Sequence, residues 1–193
     1  QLGYPVNVSV NVNPRQLLNK NFPLMISQVL RETGLPAKSL VLEITENAIV
    51  HNMERAGKIL EAVKQLDILI ALDDFGTGYS SMSYLEQLPF DTLKIDISFV
   101  RKINENGEGG TIAATIAAMA HTLDKKIVAE GVESEAQLEF LKKYDCELIQ
   151  GYYYCRPLPA DQLVKFVSKN HAENSHLHSL HHHQPQPIQL VAN

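Results

Sequence analysis

Six apolar, strand-like runs in this chain each end on a polar residue, and the endings form one chemical set: Asn11, Glu43, Asp73 with Asp74, Lys94, Glu130 and Gln150. Helix-length segments separate the runs. Strands that alternate with helices pair in parallel through right-handed crossovers. Parallel strands bring their carboxyl ends to one rim, so this order gathers four acids, a lysine and two amides in one place. A single acid at a strand end is most often a turn residue or a helix cap. Six in succession point to one acidic pocket.

Within the runs the period is two. Val6, Val8, Val10 and Val12 alternate with Asn7, Ser9, Asn11 and Asn13, and Leu40, Leu42 and Ile44 with Val41, Glu43 and Thr45. Ile68, Ile70 and Leu72 alternate with Leu69, Ala71 and Asp73, and Leu93 and Ile95 with Lys94 and Asp96. Residues 126–130 and 146–150 complete the set. The apolar face of each strand is expected beneath helices, with the chemistry-bearing face pointing inward. Asn13 before Pro14 predicts a capped helix start, and Pro23 to Thr33 predicts a helix closed by Gly34. One helical stripe runs from Ala48 to Leu66. Ser134 with Gln137 forms a capping box, and Pro159 opens a last helix to about Lys169.

An open doubly wound sheet and a barrel both fit strand–helix alternation. No glycine-rich phosphate turn follows the first strand, which weakens the first. Function at every strand end favours the second. A full eight-fold barrel takes about 250 residues, and residues 1–169 supply six units. The expected fold is therefore α/β, an incomplete TIM-like (β/α) barrel with about six of eight strand–helix units. Residues 170–193 read as a low-complexity, disordered tail carrying His171, His176, His178, His181, His182 and His183, then Gln184-Pro185-Gln186-Pro187. The two remaining strands are expected before Gln1, and their lack leaves two open sheet edges.

Composition removes several function classes. With 193 residues, 45% hydrophobic content and a net charge of −5, the chain can bury one core and lacks the basic character of a DNA or RNA binder. Two cysteines, Cys146 and Cys155, fit reduced thiols in a cytoplasmic setting. No apolar run reaches the ~18–20 residues of a membrane span, so a membrane anchor is expected only through a segment outside this chain. His51 and His121 fall on helices and read as structural.

Six motifs stand in register: Asn11-Val12-Asn13-Pro14-Arg15-Gln16, Glu43-Ile44-Thr45-Glu46, Asp73-Asp74-Phe75-Gly76-Thr77-Gly78-Tyr79-Ser80-Ser81, Leu93-Lys94-Ile95-Asp96, Ala129-Glu130-Gly131-Val132-Glu133 and Gln150-Gly151-Tyr152. In order and spacing they resemble the EAL family, bacterial phosphodiesterases that hydrolyse cyclic di-GMP to linear pGpG on a modified TIM barrel. The similarity covers roughly Val6 to Val167; the family's Glu-Ala-Leu motif lies upstream of where the chain begins. The resemblance implies that Asn11, Glu43 and Asp73 hold one divalent metal, and Asp73 and Asp74 a second. Mg²⁺ or Mn²⁺ suits such hard oxygen donors. It implies Glu130 as general base, Lys94 as the group holding the water or a phosphate oxygen, and Gln150 as a positioning residue. Glu46 is implied to anchor the loop Phe75 to Ser81, with Asp96 and Glu133 as supporting carboxylates in the pocket. A homodimer and an upstream sensory or GGDEF-type domain follow from the same resemblance.

Electrostatics asks for a cation independently. Two carboxylates at ~4 Å repel by about 1 kcal/mol in water and about 4 at an effective dielectric of 20, and Lys94 offsets one charge among Glu43, Asp73, Asp74 and Glu130. Phe75 and Tyr79 divide between packing and loop positioning, and rim packing is expected of Tyr152, Tyr153 and Tyr154. A chain complete as written is expected to bind metal weakly, turn over little and dissolve poorly, because the upstream glutamate is a metal ligand in the family. The alternative function is a catalytically inactive module that binds cyclic di-GMP or a protein partner as a signalling relay. An unrelated Mg²⁺ barrel enzyme with Lys94 as base is the third.

Overall fold

The structure is a computed structural model and describes residues 6–50, 52–78, 85–177 and 189–191. The strands are β1 (Asn7–Asn11), β2 (Leu40–Thr45), β3 (Leu69–Phe75), β4 (Thr92–Ile95), β5 (Lys126–Glu130), β6 (Leu148–Gln150) and β7 (Gln189–Val191). They form one sheet in the order β6-β5-β4-β3-β2-β1-β7, with every pairing parallel. The first six follow the chain in sequence, each beside the last, and curl into part of a barrel. All six carboxyl ends therefore share one rim, as the polar endings require.

The helices are α1 (Pro14–Leu17), α2 (Phe22–Thr33), α3 (Glu46–Val50), α4 (Met53–Lys64), α5 (Ile97–Val100), α6 (Thr111–Thr122), α7 (Glu135–Lys143) and α8 (Ala160–Leu177). Their ends lie where local chemistry puts them. Asn13 and Gln16 make a reciprocal capping box at α1, as Ser134 and Gln137 do at α7. Gly34 closes α2 at φ 68, a left-handed conformation that costs glycine little. The stripe from Ala48 to Leu66 is two helices rather than one. Asn52 breaks it, and its side chain accepts from the Arg55 N–H to restart the helix as α4.

The core lies between the sheet and the helices. Ile70, Leu72, Leu93, Ile95 and Ile127 are fully buried and share one cluster with Leu60 and Val63 of α4, Ala117 and Ala120 of α6, and Leu141 of α7. Central parallel strands are buried on both faces, which is why Leu40 to Ile44 are buried in unbroken succession. At β1 the cover is thinner, with Val10 43% exposed.

One expectation about the sheet edges is corrected. Residues 170–177 continue α8. No proline or glycine interrupts 160–177, and adding turns to an existing helix is far easier than starting one. Gln189–Val191 returns as β7 and pairs with Asn7, Val8 and Ser9, so the β1 side of the sheet is partnered rather than open. An unpaired strand edge carries a row of free N–H and C=O groups, and β7 satisfies part of that row. His178, His181, His182, His183, Pro185 and Pro187 lie outside the described residues, as does His51. His121, on α6, sets Nε2 3.1 Å from the Tyr144 carbonyl, a structural contact.

At the amino end of the sheet, Asp91 ties three segments together. Its carboxylate accepts from Lys64 Nζ at 2.7 Å and from the Ile70 N–H at 2.8 Å, and its carbonyl accepts from the Lys126 N–H. Asp91→Ala leaves the Ile70 amide and the ammonium without this acceptor and is expected to cost about 1–3 kcal/mol. Glu54→Ala removes only an exposed, solvent-screened helix pair with Lys58 and is expected to leave stability nearly unchanged. Urea unfolding of both variants checks the contrast; equal losses would contradict the clamp.

Candidate active site

Asp73 and Asp74 are sequence neighbours, and in an unbroken strand their side chains would leave opposite faces. The backbone prevents this. The β3–β4 register shifts between Leu72 and Phe75, and Asp74 sits at φ 53. A bulge re-aims side chains, and aspartate tolerates the left-handed region better than most residues. Asp73, Asp74 and Glu130 consequently offer carboxylate oxygens that lie within 4.8 Å of one another.

Lys94 stands at the centre with 1% exposure. Its Nζ lies 2.8 Å from Glu43 Oε2, 2.9 Å from Asp73 Oδ1 and 2.5 Å from Glu130 Oε1. Four consecutive strands, β2, β3, β4 and β5, each contribute one of these groups. Asn11 is the register partner of Glu43, and Gln150 that of Glu130, so both flank the cluster at the rim. Glu46 is buried at the start of α3, where its Oε2 accepts from the Gly76 N–H at 3.0 Å and the Gly78 N–H at 3.3 Å. It pins the first part of the loop after β3; Tyr79, Ser80 and Ser81 lie outside the described residues. Phe75 packs in the core. Asp96 caps α5 through the Ser98 N–H, and its charge helps raise the Asp74 carboxyl.

Glu133 is not among the acids paired with Lys94; its carboxylate lies 3.5 Å from Arg101, with both side chains well exposed. The tyrosines are likewise not packed into the rim. Tyr152 and Tyr154 are 53% and 60% exposed, with Arg156 stacked 4.6 Å over the Tyr152 ring. Two glycines matter more than the sequence suggested. Gly131, at φ 67, leaves no room for a Cβ beside Ile97, and a Cβ at Gly151 would strike the Val132 backbone. Each directly follows a rim residue, Glu130 or Gln150, and that spacing was the available signal.

Charge in the pocket is unbalanced. Burial raises the Glu130 carboxyl above its ordinary value although Lys94 opposes the shift, and Asp73 and Glu43 add to it. Burial also raises Asp74, helped by Asp73 and Asp96. The three carboxylates lift the Lys94 ammonium above its usual range against its burial. Glu43 Oε1 is the buried side-chain atom left without a hydrogen-bond partner among the described residues. Crowded oxygen donors with one orphaned lone-pair group suit a hard divalent cation. Asp73, Asp74 and Glu130 are the residues that could meet on it, with Glu43 and Asn11 adjacent.

Residues 1–157 match the family model described as EAL domain. The Pseudomonas aeruginosa protein named cyclic di-GMP phosphodiesterase NbdA is 42% identical over 162 residues, which are 84% of this chain and 21% of that protein. The structure of the MucR phosphodiesterase in complex with c-di-GMP superposes with a TM-score of 0.77 at 39% identity, covering 81% of this chain and 64% of that one. A manganese and c-di-GMP complex of Klebsiella pneumoniae BlrP1 gives 0.71 at 29% identity, covering 78% and 39%. The chain spans about a fifth of the length of the curated relatives it matches. Among the described residues no helix is long and apolar enough to cross a membrane.

Without divalent cations, the raised Glu130 and Asp74 carboxyls keep protons in the folded chain that the unfolded chain has released. Stability therefore falls as pH rises through the interval above their ordinary values of 4.5 and 3.8. Thermal melts in chelator should show the wild-type Tm falling relative to Glu130→Gln across that interval. A constant difference would contradict the burial of this carboxyl.

Proposed function

The chain belongs to the EAL domain family, and from that premise we propose that it carries out the metal-dependent hydrolysis of cyclic di-GMP to linear pGpG. The observation that carries this reading is the ring of Glu43, Asp73 and Glu130 around Lys94, with Asp74 within reach of the same point. Opening the cyclic dinucleotide adds water across one P–O3′ bond. The water oxygen joins phosphorus, its proton passes to a base, and the 3′ oxygen leaves and is protonated.

Glu130 is the proposed base. Its raised carboxyl lies nearer to neutrality than an exposed glutamate and so takes a proton more readily. Lys94 supplies fixed positive charge toward the phosphate oxygens as negative charge builds there. Gln150, opposite Glu130 in the register, orients the water. Glu46 holds the loop amides so that Asp73 and Asp74 keep their places. Asn11, Glu43, Asp73 and Asp74 are the proposed holders of Mg²⁺ or Mn²⁺, and such ions lower the pKa of bound water and clamp a phosphodiester. A homodimer coupled through the Glu46-anchored loop and an upstream sensory or GGDEF-type module belong to the same proposal. The two free thiols fit a cytoplasmic setting.

The test is incubation of the protein with cyclic di-GMP and Mg²⁺ or Mn²⁺, with pGpG separated by chromatography. Asp73→Asn should lower turnover at least about 100-fold, of the order seen when an electrostatic group at a reacting centre is lost. Glu130→Gln should lower kcat while nucleotide binding persists. Nucleotide binding without pGpG in the wild type would favour a signalling relay instead.

A further inference from the structure

Lys94 is itself a cation placed where a cation is wanted. An ammonium has three donors; one hydrogen-bonds Glu43 Oε2, and the Asp73 and Glu130 carboxylates lie within ion-pair distance of the same nitrogen. Two of these acids, Asp73 and Glu130, also belong to the set whose oxygens can converge on one ion with Asp74. The partners of the ammonium and the ligands of a metal thus overlap. A doubly charged ion entering beside the ammonium meets close-range repulsion in a poorly screened site. The lysine stem is flexible enough to move its charge, and Glu43 Oε1 stands ready without a partner.

We propose that Lys94 is an exchangeable counter-ion, whose ammonium holds Glu43, Asp73 and Glu130 together in the metal-free protein and is displaced from Asp73 when a divalent ion enters. The inference rests on reading the pocket as a cation site. It explains how four crowded acids can fold before metal arrives. It also means that the pocket binds metal less tightly than its oxygen donors alone would allow. Displaced from Asp73, the ammonium becomes available to substrate phosphate only once the ion is in place, so charge on the reacting group is met in the loaded state.

Isothermal titration of Mn²⁺ into the wild type, Lys94→Met and Lys94→Arg tests the exchange without reference to turnover. Lys94→Met should bind Mn²⁺ at least about tenfold more tightly, about 1.4 kcal/mol. Its Tm should fall in chelator and recover with Mn²⁺. Lys94→Arg, which keeps the charge, should bind no more tightly than the wild type. Should the methionine variant fail to fold, the wild type alone decides: the Lys94 ¹⁵Nζ resonance should shift on titration with diamagnetic Mg²⁺. Wild-type binding with equal or weaker affinity in Lys94→Met, or an unmoved Nζ resonance at Mg²⁺ saturation, overturns the exchange and leaves the cation site intact. No Mn²⁺ binding by either protein overturns both.

Discussion

One buried ammonium shared by three carboxylates sets the terms for the rest of this structure. Lys94 reaches Glu43, Asp73 and Glu130 from the strand between them, and each acid comes from a different strand. Removing one member of a buried charge network typically costs about 3–5 kcal/mol, since the remaining charge is left uncompensated. Such a network is poor value for stability alone, because apolar residues of similar volume would do as well or better. Its presence at the carboxyl rim of a parallel sheet, where barrel folds place their chemistry, makes sense if the acids are kept for a ligand. The unpaired Glu43 Oε1 says the same thing in miniature.

The backbone, more than the side chains, brings this about. Two adjacent aspartates share a pocket because the β3–β4 ladder slips and Asp74 accepts a left-handed conformation. Glu130 and Gln150 sit side by side because glycines follow both, letting the two strand ends close on each other at Val132. Gln150 accepts from the Val132 N–H and Tyr153 donates back to the Val132 carbonyl. Glu46 then uses a single carboxylate to hold two loop amides beside the aspartates. Each device fixes one side chain of the cluster.

Much of this was legible in the residues. Period-two strands, helix-length spacers and proline or asparagine caps fix the parallel order, and the polar strand ends name most of the pocket. What the sequence could not reveal depends on contacts across long separations. Glu133 reads like Glu130 until Arg101 is seen beside it. The helical stripe from Ala48 to Leu66 carries no visible break, yet Asn52 restarts it. The last strand stayed hidden because Gln189–Val191 is too short to stand out beside a long polar stretch, and it pairs with a strand at the far end of the sequence. Aromatic rim residues mislead for a related reason, since Tyr152 finds Arg156 and solvent instead of the barrel interior.

The two ends of the sheet use the same chemical pair to opposite effect. At the amino end Lys64 meets one aspartate, both about 30% exposed, and the remaining capacity of Asp91 is taken by a backbone N–H. Each charge of that pair is matched, and water screens what remains. At the carboxyl end a buried Lys94 faces three mostly buried acids, the Glu130 and Asp74 carboxyls are raised, and an oxygen has no partner. A matched pair has no further use for a cation, whereas an excess of buried acid does. The fold thus separates a matched pair that fastens strands from a buried excess of acid, one lysine to one carboxylate against one to three.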